Sequence, residues 1–142
     1  MFLRYSARIL IADDHDMVRQ AICKFVEMFP GLQVVGEARN GASAVELAHQ
    51  LRPHIVLMDI HMRVMDGREA TRTIPRELPE IKVIGLSVHP DTEPGMREAG
   101  ACAHLQKPDL LTQFYPTVCA AIEQAYHRPS YLARTVRTIE PE

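Results

Sequence analysis

The sequence has no excess of either charge, no long hydrophobic run and few cysteines. Its 142 residues carry 16 Lys and Arg against 18 Asp and Glu, a formal net charge of -2. That balance gives no electrostatic argument for nucleic acid or an anionic membrane, which favour a basic surface. No apolar run approaches the roughly 18 residues that span a bilayer. The opening Met1-Phe2-Leu3-Arg4-Tyr5-Ser6 is too short and too polar to start a signal peptide. Cys23, Cys102 and Cys119 are odd in number, far apart and without paired metal-ligand spacing. They read as reduced, buried thiols of a cytosolic protein. There is no internal repeat and no low-complexity stretch. A soluble cytoplasmic protein is expected, touching neither membrane nor nucleic acid by this chain alone.

What is present suits one domain: 46% hydrophobic residues, enough for one sizeable core, and 24% charged. Short apolar runs recur. Arg8-Ile9-Leu10-Ile11-Ala12 reads as a buried strand that stops at acidic residues. Leu32 to Ala38 is rich in valine and reads as a second strand. Ile55-Val56-Leu57-Met58 has the continuous apolar pattern of a strand covered on both faces. Ile81 to Leu86 and Ala101 to Gln106 read as the fourth and fifth strands.

Helical spacing fills the intervals. Val18, Ile22, Phe25, Val26 and Phe29 mark the first helix, which Pro30-Gly31 stops. Ala42 to Leu51 is the second. Arg68 to Arg76 is the third, with Pro75 expected to end or kink it. Pro90 to Gly95 opposes helix with two prolines and a glycine, leaving Met96 to Ala99 a short turn of helix. Leu110 to Tyr126 is the last, with Pro116 in its first turns. Strands alternating with helices imply a parallel sheet covered on both sides. In such folds the site lies at the carboxyl ends of the strands.

The residues at those ends carry the chemistry. Strand one ends at Asp13-Asp14, strand three at Asp59, strand four at Ser87 and strand five at Lys107. Taken singly, each has a bland explanation: an acidic pair after a strand is usually a helix cap, and a lone Ser or Lys is usually solvated. All five on one sheet edge are hard to explain that way. Clustered carboxylates repel and raise one another's pKa, and a hard divalent cation relieves this. Mg²⁺ fits, since it binds one or two carboxylates plus waters and phosphate oxygens. A carboxylate can attack a phosphoryl group to give an aspartyl phosphate, with metal and lysine balancing the charge.

At this point the motifs are recognisable. Ile9-Leu10-Ile11-Ala12-Asp13-Asp14-His15, Asp59-Ile60-His61-Met62 with Met65-Asp66-Gly67, Leu86-Ser87, Ala99-Gly100-Ala101 and Lys107-Pro108 resemble the response-regulator receiver domain of bacterial two-component systems. The resemblance covers about residues 7–127, leaving 128–142 as a tail or linker remnant with no output domain. Ala12-Asp13-Asp14-His15, Val35-Gly36-Glu37-Ala38-Arg39-Asn40-Gly41 and Leu86-Ser87-Val88-His89 look most like receivers of LuxR/NarL-type regulators.

The resemblance implies a doubly wound, flavodoxin-like α/β fold with strand order 2-1-3-4-5 and helices on both faces. It implies Asp59 as phosphoacceptor. Asp14, Asp59 and the backbone carbonyl of His61 would hold Mg²⁺, with Asp13 acting through a bound water. Lys107 and Ser87 would contact the phosphoryl group, and His104 would occupy the switch position that is usually Tyr or Phe. The Lys107–Pro108 bond is expected to be cis. The donor would be a sensor histidine kinase, and homodimerisation is common in such domains. Self-phosphorylation and autodephosphorylation of Asp59 are expected, without ordinary turnover.

The sequence departs from the pattern in places. Arg63 stands where the family usually has proline, leaving that loop freer. His61 and His89 fall where the family tunes the lifetime of the aspartyl phosphate. The segment Pro90 to Arg97 is a poor match to the usual fourth helix. Four readings follow: a stand-alone phosphoacceptor switch, the receiver fragment of a longer DNA-binding regulator, a pseudo-receiver that takes no phosphate, and a phosphatase of the haloacid dehalogenase type. The last places its nucleophile on strand one, whereas here the best candidate is on strand three. A downstream protein or a DNA-binding domain outside these residues would carry the output.

Overall fold

A computed structural model describes residues 5–88, 93–126 and 137–138. The elements run in the order β1 (Tyr5–Ala12), α1 (Asp16–Glu27), β2 (Leu32–Ala38), α2 (Gly41–Leu51), β3 (Ile55–Asp59), α3 (Gly67–Glu77), β4 (Lys82–Ser87), α4 (Glu93–Ala99), β5 (Ala103–Gln106), α5 (Leu110–Tyr126) and β6 (Arg137–Thr138). The five long strands are parallel in the order β2-β1-β3-β4-β5. This is the expected doubly wound sheet. From the segment expected as a tail, β6 pairs antiparallel with Tyr5 and Ser6 of β1.

The period of two along β3 explains the layering. Ile55 and Leu57 face one side and pack with Ile22, Val26, Phe114, Val118 and Ile122 of α1 and α5. Val56 and Met58 face the other side and pack with Ala44, Ala48, Ala70, Ile74 and Met96 of α2, α3 and α4. Every residue of β3 is buried. Phe25 of α1 and Phe29 of the turn after it meet Phe114 at 5.5 and 5.8 Å between ring centroids, and Tyr115 stacks on Phe29 at 5.4 Å. These contacts pin the last helix to the first.

Two prolines are tolerated better than their residue type predicts. α3 runs through Pro75 and stops two residues later at Glu77, so the one hydrogen bond that the proline denies to the Thr71 carbonyl is confined to the last turn. Leu78 N–H then closes the helix on the Ile74 carbonyl at 2.7 Å. α4 begins at Glu93, earlier than the expected turn at Met96. Pro94 falls in the first turn, where no intrahelical N–H is required. Residues 89–92, and with them part of the Pro90 to Arg97 departure, lie outside the described residues.

Cys23 is buried, while Cys102 and Cys119 are half-buried rather than fully so; all three are free thiols. Burial holds each thiol above its ordinary pKa, Cys23 up to about 12. They are therefore protonated and unreactive at neutral pH. No helix among the described residues is long and apolar enough to cross a membrane.

Candidate functional site

The site forms where β1, β3, β4 and β5 end side by side. Each strand is registered with its neighbour, so the residue after each apolar run emerges on one edge. Asp13 and Asp59 are buried, and Asp14 is nearly so. One ligand atom from each of Asp13, Asp14, His15 and Asp59 can be chosen so that all lie within 4.8 Å of one another.

The bland reading of the acidic pair does not hold. The N-cap of α1 is His15, with no side-chain cap bond. Asp13 instead accepts the His15 backbone N–H at 2.9 Å and Lys107 Nζ at 3.0 Å. Asp14 Oδ1 is buried and accepts no well-aligned hydrogen bond, although His15 Nδ1 lies 3.0 Å away. A buried carboxylate oxygen left in that condition is costly unless a cation faces it. The donor set is mainly hard oxygen, and it fits Mg²⁺.

Asp59 is the perturbed member. Burial and then the Asp13 carboxylate push its pKa up to about 6. Lys107, 3.7 Å from Oδ1, and the His61 backbone N–H act against that. Behind it the loop folds back tightly: Gly67 N–H bonds the Ile60 carbonyl at 2.9 Å. A Cβ at Gly67 would collide with the backbone carbonyl of Asp59, so glycine is required there. Asp66 caps α3 by accepting Glu69 N–H at 2.9 Å.

Ser87 is fully buried at the end of β4, and its Oγ lies 2.8 Å from His104 Nε2. The two residues of the expected switch are thus joined to each other. Arg63 stands at the rim, 84% exposed, with Nε 3.6 Å from Asp14 Oδ2. It lines an open cleft of 510 Å³ with Asp14, His15, His61 and Arg68. The freer loop expected at Arg63 takes a definite shape: Met65 N–H bonds the Arg63 carbonyl at 3.0 Å around Val64, whose φ is 73°. His89 lies outside the described residues.

One expectation is overturned. The described residues contain no cis peptide bond, so Lys107–Pro108 is trans. Pro108 opens the short 3-10 turn Lys107–Asp109, and the fixed φ of proline suits a trans helical start.

Sequence reasoning missed Arg19. It is 4% exposed, reaches Glu37 and Asp16 at 2.9 Å each, and donates to the Asp13 carbonyl at 3.0 Å. It therefore fixes the backbone that presents Asp13 and Asp14. Its i,i+3 spacing from Asp16 was the one available signal. His15 was also passed over as a member of the carboxylate cluster.

Comparison with known proteins agrees with this geometry. A family model described as the response regulator receiver domain matches residues 9–114. The transcriptional regulatory protein LiaR of Bacillus subtilis (strain 168) is 40% identical over 116 residues, 80% of this chain and 55% of that protein. Response regulator GacA of Pseudomonas protegens is 42% identical over 70% of this chain and 48% of that protein. The chain thus spans about half the length of these curated relatives. Among solved structures, the signal receiver domain of the putative response regulator NarL from Mycobacterium tuberculosis superposes with a TM-score of 0.76 at 27% identity, covering 87% of this chain and 98% of that one. A two-component response regulator of the LuxR family from Aurantimonas sp. SI85-9A1 superposes with a TM-score of 0.73 at 29% identity, covering 92% and 94%. With the family model spanning most of the described sheet and site, this chain belongs to the response regulator receiver domain family, and its likeness is to receivers of LuxR/NarL-type regulators.

Proposed function

We propose that the chain is a phosphoacceptor switch in which Asp59 takes a phosphoryl group from the phosphohistidine of a sensor histidine kinase. A carboxylate oxygen of Asp59 forms the new P–O bond, the P–N bond of the donor breaks, and the imidazole leaves with its electron pair. The observation that carries this reading is the placement of Asp59. It is buried among carboxylates at a strand end, with Lys107 3.7 Å away.

The other residues support the transfer. Asp14, Asp59 and the His61 carbonyl would hold Mg²⁺, with Asp13 acting through a bound water, and the metal would supply positive charge against the phosphoryl oxygens. Lys107 adds a second cation at the same edge, and Ser87 offers a hydroxyl. His61 lines the open cleft beside Asp14. That position suits the role of tuning the lifetime of the aspartyl phosphate. The exposed apolar side chains Met17, second in α1, and Leu111, second in α5, flank the same edge. They suit a protein donor better than a small molecule. Asp59 is consumed and restored with each signal, so the chain acts as a switch whose output depends on a changed partner-binding face.

Intact mass spectrometry after incubation with Mg²⁺ and phosphoramidate or acetyl phosphate tests this, with Asp59→Asn alongside. One added phosphoryl group, absent from the variant, is expected. A folded protein that takes no phosphoryl group and does not respond to beryllofluoride would instead be a pseudo-receiver.

A further inference from the structure

The open cleft at the mouth of the site has two arginines on its wall, Arg63 and Arg68. They are held differently. Arg68, in the first turn of α3, lies against α4: a Cβ built on Gly95 would fall 2.9 Å from its Nη2 and 3.0 Å from its Nε. Arg63 comes from the loop after β3, where its carbonyl accepts Met65 N–H at 3.0 Å. Its side chain is mostly exposed, and its Nε lies 3.6 Å from Asp14 Oδ2.

Asp14 is poorly satisfied by the protein. Oδ1 is buried without a well-aligned hydrogen bond, and Oδ2 faces Arg63 at a distance too long for one. Asp13, by contrast, accepts bonds at 2.9 and 3.0 Å from His15 N–H and Lys107. Asp66, on the same cleft wall, is turned to the Glu69 N–H that it caps. The guanidinium therefore balances the charge of Asp14 without filling its acceptor sites. A counter-ion that is exposed and this loosely bonded is weakly held. Mg²⁺ on the same carboxylate would bring twice the charge at about 2.1 Å. Two cations cannot share Asp14 without repulsion.

We propose that Arg63 is a displaceable counter-cation of the metal site: its guanidinium balances Asp14 until Mg²⁺ binds and expels it. Arg63 thus sets the Mg²⁺ concentration at which the site fills. This rests on Asp14 as a metal ligand in the phosphoacceptor reading and deepens it, since the switch then accepts a phosphoryl group only above a Mg²⁺ level that Arg63 raises.

The test is a Mg²⁺ titration of the full chain, followed by the amide ¹H–¹⁵N shifts of Asp59 and Ile60. Arg63→Gln is expected to bind Mg²⁺ about three- to fivefold more tightly than the parent, the worth of an exposed ion pair. Arg63→Lys keeps a cation at the mouth and should stay near the parental affinity. Arg68→Gln removes the same charge from the same cleft without breaking a pair to Asp14. At about 0.15 M salt, where more distant charges are screened, it too should stay near the parent. Thermal melts give a second reading: the same sub-saturating Mg²⁺ should raise the melting temperature of Arg63→Gln more than that of the parent. Equal affinities in the parent and Arg63→Gln, a gain in Arg68→Gln as large as in Arg63→Gln, or Arg63→Lys binding as tightly as Arg63→Gln overturns the proposal alone. Asp14→Asn should abolish the titration. If it leaves Mg²⁺ binding unchanged, the metal set of the phosphoacceptor reading falls, and this inference with it.

Discussion

The ammonium of Lys107 lies 3.0 Å from a carboxylate oxygen of Asp13, across 94 residues of chain. Asp13 is fully buried, and Lys107 donates a side-chain hydrogen bond to its carboxylate. Replacing Lys107 by Met removes that cation and leaves a buried carboxylate held by one backbone N–H. We expect urea unfolding to show a loss of about 1–3 kcal/mol. Phosphoryl acceptance from phosphoramidate should slow roughly 100-fold, since a cation facing the transferring group is removed. A Lys107→Met protein as stable and as reactive as the parent would show that the lysine is an ornament of the site.

Asp59→Asn should make the protein more stable at neutral pH. The folded-state pKa is raised to about 6, so folding favours the protonated carboxyl and penalises the ionised one. The sign follows by linkage: stability falls as pH rises from the unfolded value near 4 through 6. An uncharged amide escapes that loss. After allowance for solvent screening, we expect a gain of about 1–2 kcal/mol at pH 7, shrinking below pH 4. Mg²⁺ should raise the melting temperature of the parent more than that of the variant. Thermal melts at pH 7 and pH 4, with and without Mg²⁺, check all three statements.

Which parts of this were legible in the sequence depends on how local the cause is. β3 could be read residue by residue because a strand buried on both faces must be apolar throughout, and Asp59 stands out by ending it. The five polar strand ends followed from the same logic. The start of α4 could not be read so well, because proline and glycine propensities oppose helix while Pro94 in a first turn costs nothing. The cis bond expected at Lys107–Pro108 was a carry-over from the resemblance, with no local signal to support it. Arg19 was invisible for another reason: its partners come from the β1–α1 turn, α1 and β2, and only the assembled fold brings them together.

The turn after β3 stores backbone strain. Val64 is β-branched, 87% exposed and holds a φ of 73°, a region that such residues rarely occupy. A residue in that region costs on the order of 1–3 kcal/mol, and the exposed valine side chain gives little in return. Val64→Gly should therefore stabilise the protein by about 1 kcal/mol, part of the relief being offset by the entropy of glycine in the unfolded chain. Thermal melting checks the sign. A lower melting temperature would mean that the strain is compensated by contacts of Val64 itself.

A second pH dependence originates at the opposite end of the strands from the carboxylates. Arg8 N–H donates to His54 Nδ1 at 2.9 Å, and His54 N–H returns a bond to the Arg8 carbonyl at 2.9 Å. The Arg8 guanidinium also holds the carbonyls of Leu51 and Arg52 at 2.6 and 2.9 Å, closing the end of α2. Nδ1 must stay unprotonated to accept. Burial, and then the charge of Arg8, push the His54 pKa down to about 4. The unfolded chain takes up that proton near pH 6.5, so this contribution to stability is complete above 6.5 and is lost as pH falls toward 4. Asp59 acts with the opposite sign over part of the same range. The measurement therefore belongs in the Asp59→Asn background, where the opposing titration of the buried carboxylate is absent. His54→Asn keeps an acceptor for the Arg8 N–H but cannot protonate. Between pH 6.5 and 4.5 the urea midpoint of the His54 protein should fall more steeply than that of the Asn variant, by the uptake of one proton on unfolding. Parallel curves would mean that His54 protonates freely in the folded protein and that the Arg8 bond is broken when it does.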